Sequence, residues 1–256
     1  MSPSLPVVRT LHELGDVDEL LRVADRVWGT EPGAFVSSSF LMALAHAGGY
    51  VSGAFVDDQM VGVSFGVLAR HDRGDGLEWC LHSHITGVVP ERQNTGLGRQ
   101  LKRHQCHWAR ERELAAVTWT FDPLVRRNAW FNLHVLGAVA TEYHVDFYGA
   151  LGDDINGVDD SDRLLAYWNV DARRTHAAEA TPLAPAEAGP DAELVPIPAD
   201  VVELRRHDAN AARRWRRDIR HRLDPLLKVG HVIGLTADGQ YVVTRRPISE
   251  TLSHGS

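Results

Sequence analysis

Apolar residues along this chain switch between two periods, and each switch marks an element. Residues 7–11 alternate as a short strand, and residues 17–28 then place Leu20, Leu21, Ala24, Val27 and Trp28 at helical spacing. A second helix is predicted over 35–47. Strands follow: 50–56 and 60–68 are apolar runs separated by Asp57-Asp58-Gln59, a hairpin signal, and 77–89 comes after the turn-rich stretch 71–76. Residues 99–112 carry Leu101, Gln105, Trp108 and Ala109 at helical spacing. Residues 116–121 form a strand stopped by Asp122-Pro123, and a helix over 125–136 ends at Gly137, a natural C-cap. Two more strands are predicted over 139–148 and 163–170.

Beyond that point the pattern fades and then returns. Residues 172–193 are Ala, Pro, Glu and Thr with hardly a large apolar side chain, which predicts a surface-running linker. Residues 200–227 then regain helical spacing at Leu204, Ala212, Trp215, Ile219, Leu223 and Leu226. Strands over 229–235 and 240–244 meet at Ala237-Asp238-Gly239. The expected organisation is a core over 1–171, a linker over 172–193, and a helix-plus-hairpin extension over 194–256 packed on the core or on a partner subunit.

One junction has a chemical use. Val88-Val89-Pro90-Glu91-Arg92-Gln93-Asn94-Thr95-Gly96-Leu97-Gly98-Arg99 leaves a strand, turns through two glycines and enters a helix. Backbone N–H groups in such a loop, together with the positive end of the helix dipole, suit a pyrophosphate. Two phosphate motifs are excluded. There is no GxxxxGK followed by Ser or Thr, and GxGxxG fails because Leu101 stands at the third glycine's place. An ordinary glycine-containing turn is the competing reading of the loop by itself.

Gln93, Gly96 and Gly98 meet the acyl-coenzyme A loop signature of the GNAT acyltransferase superfamily, and the order of elements resembles that superfamily too. A finer set of residues points further: Trp119-Thr120-Phe121-Asp122-Pro123-Leu124, Arg127 to Leu133, Leu136-Gly137-Ala138, Tyr148-Gly149, Asp154-Ile155-Asn156 and Ser161-Asp162-Arg163. It is similar to a bacterial subgroup of predicted acetyl- and succinyltransferases associated with N-acylamino acid metabolism. The likeness covers about residues 7–170. It implies an α/β (α+β) GNAT fold, a mixed and mostly antiparallel splayed sheet flanked by helices. It also implies acetyl- or succinyl-coenzyme A as acyl donor, and direct attack by a small-molecule amine. Carried over residue by residue, backbone groups of Val88 and Val89 meet the pantetheine and thioester. Gln93, Asn94, Thr95, Gly96, Leu97, Gly98 and Arg99 line the pyrophosphate, and Asn128, Phe131 and Asn132 lie along the pantetheine. The chain departs from the superfamily at Leu133, where a tyrosine often serves as acid to the leaving thiolate.

Composition narrows the setting. At 256 residues and 44% hydrophobic the chain can bury a sizeable core and exceeds one minimal unit of this kind, and a formal charge of −7 argues against a general nucleic-acid binder. Cys80 and Cys106 are too few for a disulfide framework or a cysteine-based zinc site. His104 and His107 lack same-face spacing, so no metal is expected. The N-terminus has no basic segment leading into an apolar one, and no run approaches membrane-spanning length. The expectation is a cytoplasmic protein without a membrane partner.

The candidate chemistry follows from acyl transfer to an amine. Strand alternation puts His82, His84, Thr86 and Val88 on one face, and His84 is the candidate general base, with a hydrogen-bonded packing role as the alternative. Asp122 could receive a substrate ammonium, although Asp-Pro is equally a turn and N-cap signal. Arg127 and Arg163 are candidates for an acceptor carboxylate, against the default of surface salt bridges. Tyr148, like Tyr143 on the penultimate strand, could replace the missing acid. The arginines of 205–222 are expected to form a solvated, ion-paired face rather than a nucleic-acid site. Apart from catalysis, a non-catalytic acyl-coenzyme A sensor fits the missing tyrosine and the extra C-terminal piece, and a homodimer fits the extension.

Overall fold

The computed structural model describes residues 5–29, 36–72, 76–149, 160–171, 181–184, 189–248 and 251. Asp154-Ile155-Asn156, Phe35, the Arg73-Gly74-Asp75 turn and most of the 172–193 stretch lie outside the described residues. The chain divides into two compact units, Met1–Thr118 and Trp119–Ser256.

In the first unit, strands β1 (Val7–Thr10), β2 (Tyr50–Val56), β3 (Gln59–Asp72), β4 (Leu77–Val88) and the start of β5 (Ala116–Phe121) lie in chain order. All pairs are antiparallel except β4 with β5. The β2–β3 turn is tight because Asp57 and Asp58 adopt φ 50° and 60°, conformations that aspartate tolerates. Helices α1 (Leu14–Trp28) and α2 (Ser38–His46) precede β2; Ser37 caps α2 by accepting from Phe40 N at 3.2 Å. Helix α3 (Leu97–Arg110) connects β4 to β5. The helices take opposite faces of the sheet. A Cβ on Gly87 would lie 2.5 Å from Trp28 of α1, whereas one on Gly62 would lie 3.1 Å from Leu101 of α3. Close approach of backbone to helix is the reason for both glycines.

Strand β4 carries one residue too many for a regular ladder. Ile85 stands opposite Phe65 but Ser83 stands opposite Gly66, which leaves His84 as the extra residue of a bulge. The single face expected for His82, His84, Thr86 and Val88 is therefore broken. Thr86 shares a face with Ser83 instead, because strand alternation resets across the bulge.

The second unit continues β5 into helix α4 (Arg126–Trp130). The helix widens into a π turn over Phe131–Val135, where Leu136 N donates to Phe131 O at 2.9 Å, and it stops at Gly137 with φ 76°. Strands β6 (Val139–His144), β7 (Arg163–Asn169), β8 (Glu193–Pro196), β9 (His231–Leu235) and β10 (Gln240–Thr244) follow the order β7-β6-β9-β10-β8, antiparallel throughout. The C-terminal hairpin thus joins β6 through β9. Strand β6 is shorter than its apolar run. Asp146 adopts φ 47° and its carboxylate accepts from Ser161 N at 3.1 Å, so Tyr148 sits in a turn and not on the strand. The single helix expected over 200–227 is two, α5 (Val201–His207) and α6 (Ala209–Leu227). Asp208 breaks it, its side chain capping α6 by accepting from Ala211 N at 2.9 Å.

Candidate functional site

The glycine loop is built as an anion cradle. After a 3₁₀ turn at Pro90–Arg92, Asn94 takes φ 60° and Gly96 φ 87°, and Gly96 stands as N-cap of α3 with no side chain to occupy the helix end. The first N–H groups of α3 therefore have no intrahelical acceptor and point outward with the helix dipole. A Cβ on Gly96 would meet nothing within 4 Å, so the space before the cradle is open. Gln93, Asn94, Thr95 and Gly96 are exposed, while the Leu97 side chain is 2% exposed and leaves only its backbone to the cradle. Thr95 Oγ1 donates to Arg92 O at 2.6 Å and Gln93 Nε2 to Val88 O at 3.4 Å, which ties the loop to the strand it leaves.

The strand end presents backbone groups on a defined side. Val89 N donates to Val61 O of β3 at 3.0 Å, so alternation turns the N–H and C=O of Val88 to the opposite edge. On that edge β4 pairs with β5 at Cys80–Ala116, Leu81–Val117 and His82–Thr118, and β4 itself runs on to Val88. His84 is exposed, its ring 5.3 Å from that of Phe65, and partial burial lowers its pKa below the usual histidine value.

Beneath β4 lies a buried polar layer that sequence reading missed. Gln105 Nε2 donates to Ser64 Oγ at 2.6 Å and Ser83 Oγ at 2.8 Å, and Lys102 Nζ donates to Ser83 Oγ at 3.0 Å. Its only sequence signal was a helix whose buried stripe contains Lys102 and Gln105 beside Leu101 and Trp108.

In the second unit Asp122 is committed elsewhere than expected. Its carboxylate accepts from Arg216 at 2.7 and 2.9 Å, from Arg205 at 2.7 Å and from Leu124 N at 2.9 Å, and it is 6% exposed. Burial by itself would raise its pKa, but the bonds and charge of Arg216, then Arg205, outweigh that and hold it well below the carboxylate range. Every acceptor position is occupied, so the expected ammonium seat at Asp122 is corrected to a structural ion cluster. The arginine-rich stretch keeps its expected exposed face at Arg206, Arg213, Arg214, Arg217 and Arg222, and departs from it at Arg216. Arg216 is 2% exposed and points inward, and Arg220 binds Asp162 at 2.9 and 2.7 Å.

Two other candidates meet. The Tyr148 hydroxyl lies 3.0 Å from Thr120 Oγ1, and the Arg163 guanidinium stands 5.4 Å from the Tyr148 ring centroid. Arg163 is 6% exposed, a buried cation rather than the surface salt bridge expected by default. Tyr143 instead donates to Asp162 at 2.5 Å, and burial followed by that carboxylate raises its pKa far above the phenol value. On α4, Arg127 and Asn128 are exposed, Phe131 is half-buried, and Asn132 accepts from Trp119 Nε1 at 3.2 Å. Leu133 is fully buried. Among the described residues no group of three or more His, Cys, Asp or Glu is placed to hold a metal ion. No described helix is long and apolar enough to cross a membrane.

No protein-family model matches the chain, and no curated protein does. Solved structures do. An acetyltransferase of the GNAT family from Streptococcus pneumoniae aligns at TM-score 0.50 and 16% identity, over 64% of this chain and 99% of that one. Naa20 of Chaetomium thermophilum, in complex with a bisubstrate analogue, aligns at TM-score 0.50 and 17% identity, over 68% of this chain and 94% of that one. The chain has the GNAT fold, a mixed sheet flanked by helices.

Proposed function

We propose that the protein transfers an acetyl or succinyl group from acyl-coenzyme A to a primary amine of a small molecule, with amino acids as the acceptor class. The observation that carries this reading is the strand end and its loop. The outward N–H of Val88 leads within a few residues into the open, side-chain-free N-terminus of α3. One stretch thus offers a donor for a polarised carbonyl and a cradle for a pyrophosphate. In the reaction the amine nitrogen forms a bond to the acyl carbon, the carbon–sulfur bond breaks, and the amine's proton is lost as the thiolate gains one. His84, its pKa lowered by burial, is neutral at pH 7 and suits the proton-accepting role. Tyr148 is the hydroxyl assigned to the thiolate, and Arg163 the cation assigned to an acceptor carboxylate.

Calorimetry with acetyl- and succinyl-coenzyme A, followed by thiol release with a panel of amino acids, tests the reading. Binding that Gly96→Glu abolishes, together with acceptor-dependent release, supports it. No heat with either thioester overturns it. A second reading, a non-catalytic acyl-coenzyme A sensor, is favoured by the buried Leu133 at the place of the usual acid, and tight binding without thiol release from any acceptor would select it.

A further inference from the structure

Ser83 and Thr86 are three residues apart on β4, yet their hydroxyls lie 3.3 Å from each other. Residues an odd number apart on a regular strand point to opposite faces, so this contact requires the extra residue at His84. Gly66 accommodates it, since a Cβ there would lie 2.7 Å from His82 O and 3.1 Å from Ser83 Cα. Helix α3 closes the arrangement. Ser83 Oγ receives Lys102 Nζ and Gln105 Nε2, while Ser64 Oγ lies 2.9 Å from Thr86 Oγ1 and donates to Ile85 O at 3.0 Å. Ser64 and Gln105 are fully buried and Lys102 is 4% exposed. Full burial pushes the lysine's pKa well below its usual value, at a position where an aliphatic residue would be less costly.

The bulge decides which backbone group faces out. Continuing the Gly66–Ser83 register without an extra residue would set Gly87 opposite Gly62 and turn the Val88 N–H toward β3. With the bulge, Val88 stands opposite Gly62 and its N–H faces the other edge. We propose that Lys102 and Gln105 are positioning residues that hold Ser83 and Thr86 on one face, fix the bulge at His84, and so select Val88 as the residue whose N–H faces the acyl donor. The identity of the donor rests on the function proposed above, whereas the choice of Val88 over its neighbours stands without it.

Amide hydrogen exchange by NMR on the full chain, with steady-state kinetics on the same samples, tests this in Lys102→Met and Ser83→Ala. Protection at Val89, which the bond to Val61 provides, is expected to fall about tenfold or more in both, with β2–β3 amides unchanged. The kcat is expected to fall about tenfold or more, with KM for acetyl-coenzyme A within about threefold, because the Gln93–Arg99 loop is untouched. Ser83→Thr, which keeps the hydroxyl, should restore both. Wild-type exchange at Val88 and Val89 in a folded Ser83→Ala overturns the proposal, and so does altered exchange with wild-type kcat. If Lys102→Met does not fold, Ser83→Ala alone decides. Wild-type protein that ignores acetyl-coenzyme A defeats the proposed function and leaves exchange to judge the backbone claim.

Discussion

Two buried polar clusters, one in each unit, are held by opposite means. Under β4, Ser64, Ser83, Thr86 and Gln105 bond as neutral groups, and Lys102 joins them with its pKa lowered by burial. In the second unit full charges are buried in pairs. Asp122 is held by Arg216 and Arg205, and Asp162 by Arg220, the Tyr143 hydroxyl and Asp146 N. Neutral bonds are short-ranged and directional, so they suit a place where strand register must be set to one residue. Paired charges are costly to separate, so they suit a place where α5 and α6 must be held to the ends of β5 and β7, in the case of Arg216 and Asp122 across 94 residues of chain.

Breaking a buried charge pair on one side gives the largest effect. Arg216→Met leaves the Asp122 carboxylate buried with less than its full complement of donors, and denaturant unfolding is expected to show a loss of about 3–5 kcal/mol. Adding Asp122→Asn to that variant should recover most of the loss, because the amide keeps the Leu124 N–H bond without the charge. A loss under about 1 kcal/mol in the single variant would mean that the pair contributes no more than a surface contact.

Much of this was legible in the sequence, and the gaps have physical causes. Strands β2, β5 and β10 stand where their apolar runs predicted them, because turn residues flank each run. The glycine loop was readable because Asn94 and Gly96 are residue types that take positive φ. The bulge was not readable. An inserted residue leaves the alternation of hydrophobic and polar types looking regular, and only the structure shows that Ser83 and Thr86 meet. Asp122 was half readable: its turn role is real, since it accepts from Leu124 N, but its arginine partners lie far away in sequence. A signal for Arg216 existed all the same. It sits on the buried stripe Ala212, Arg216, Ile219, Leu223 of α6, and an arginine in an apolar stripe implies a buried anion.

Acid comes next in size, and within the second unit it separates a buried imidazole from the buried carboxylates. His231 is buried beside Thr251, its Nε2 3.1 Å from the hydroxyl, and burial lowers its pKa to about 4. The unfolded chain takes up this proton near the ordinary value of about 6.5 while the folded chain refuses it. The stabilisation is therefore complete above that value and is lost as pH falls toward about 4, up to roughly 3 kcal/mol. Asp122 and Asp162, both lowered, add their loss only below the ordinary carboxylate range, as pH falls toward their folded values. Unfolding curves for His231→Gln should flatten between pH 6.5 and about 4 and leave the limb below that unchanged. An unaltered slope in the upper window would assign the acid sensitivity to the carboxylates alone.

The smallest packing cost is expected where the positioning effect is largest. Lys102→Met keeps the volume of the side chain, and volume-conserving core changes cost under about 1.5 kcal/mol. The sign depends on pH. A lysine held neutral in the fold binds its proton only in the unfolded chain between the lowered folded value and the ordinary 10.5, so it makes wild-type stability rise with pH across that window. Methionine removes this dependence, so the variant should equal or exceed wild type at pH 7 and lose that advantage as pH approaches 10. Parallel pH–stability curves for the two proteins would show that Lys102 is charged in the fold, and a charged amine at that depth would demand a buried anion. The expected convergence with rising pH would instead mark Lys102 as a residue that costs the fold stability at neutral pH while it holds Ser83 and the backbone of β4 in place.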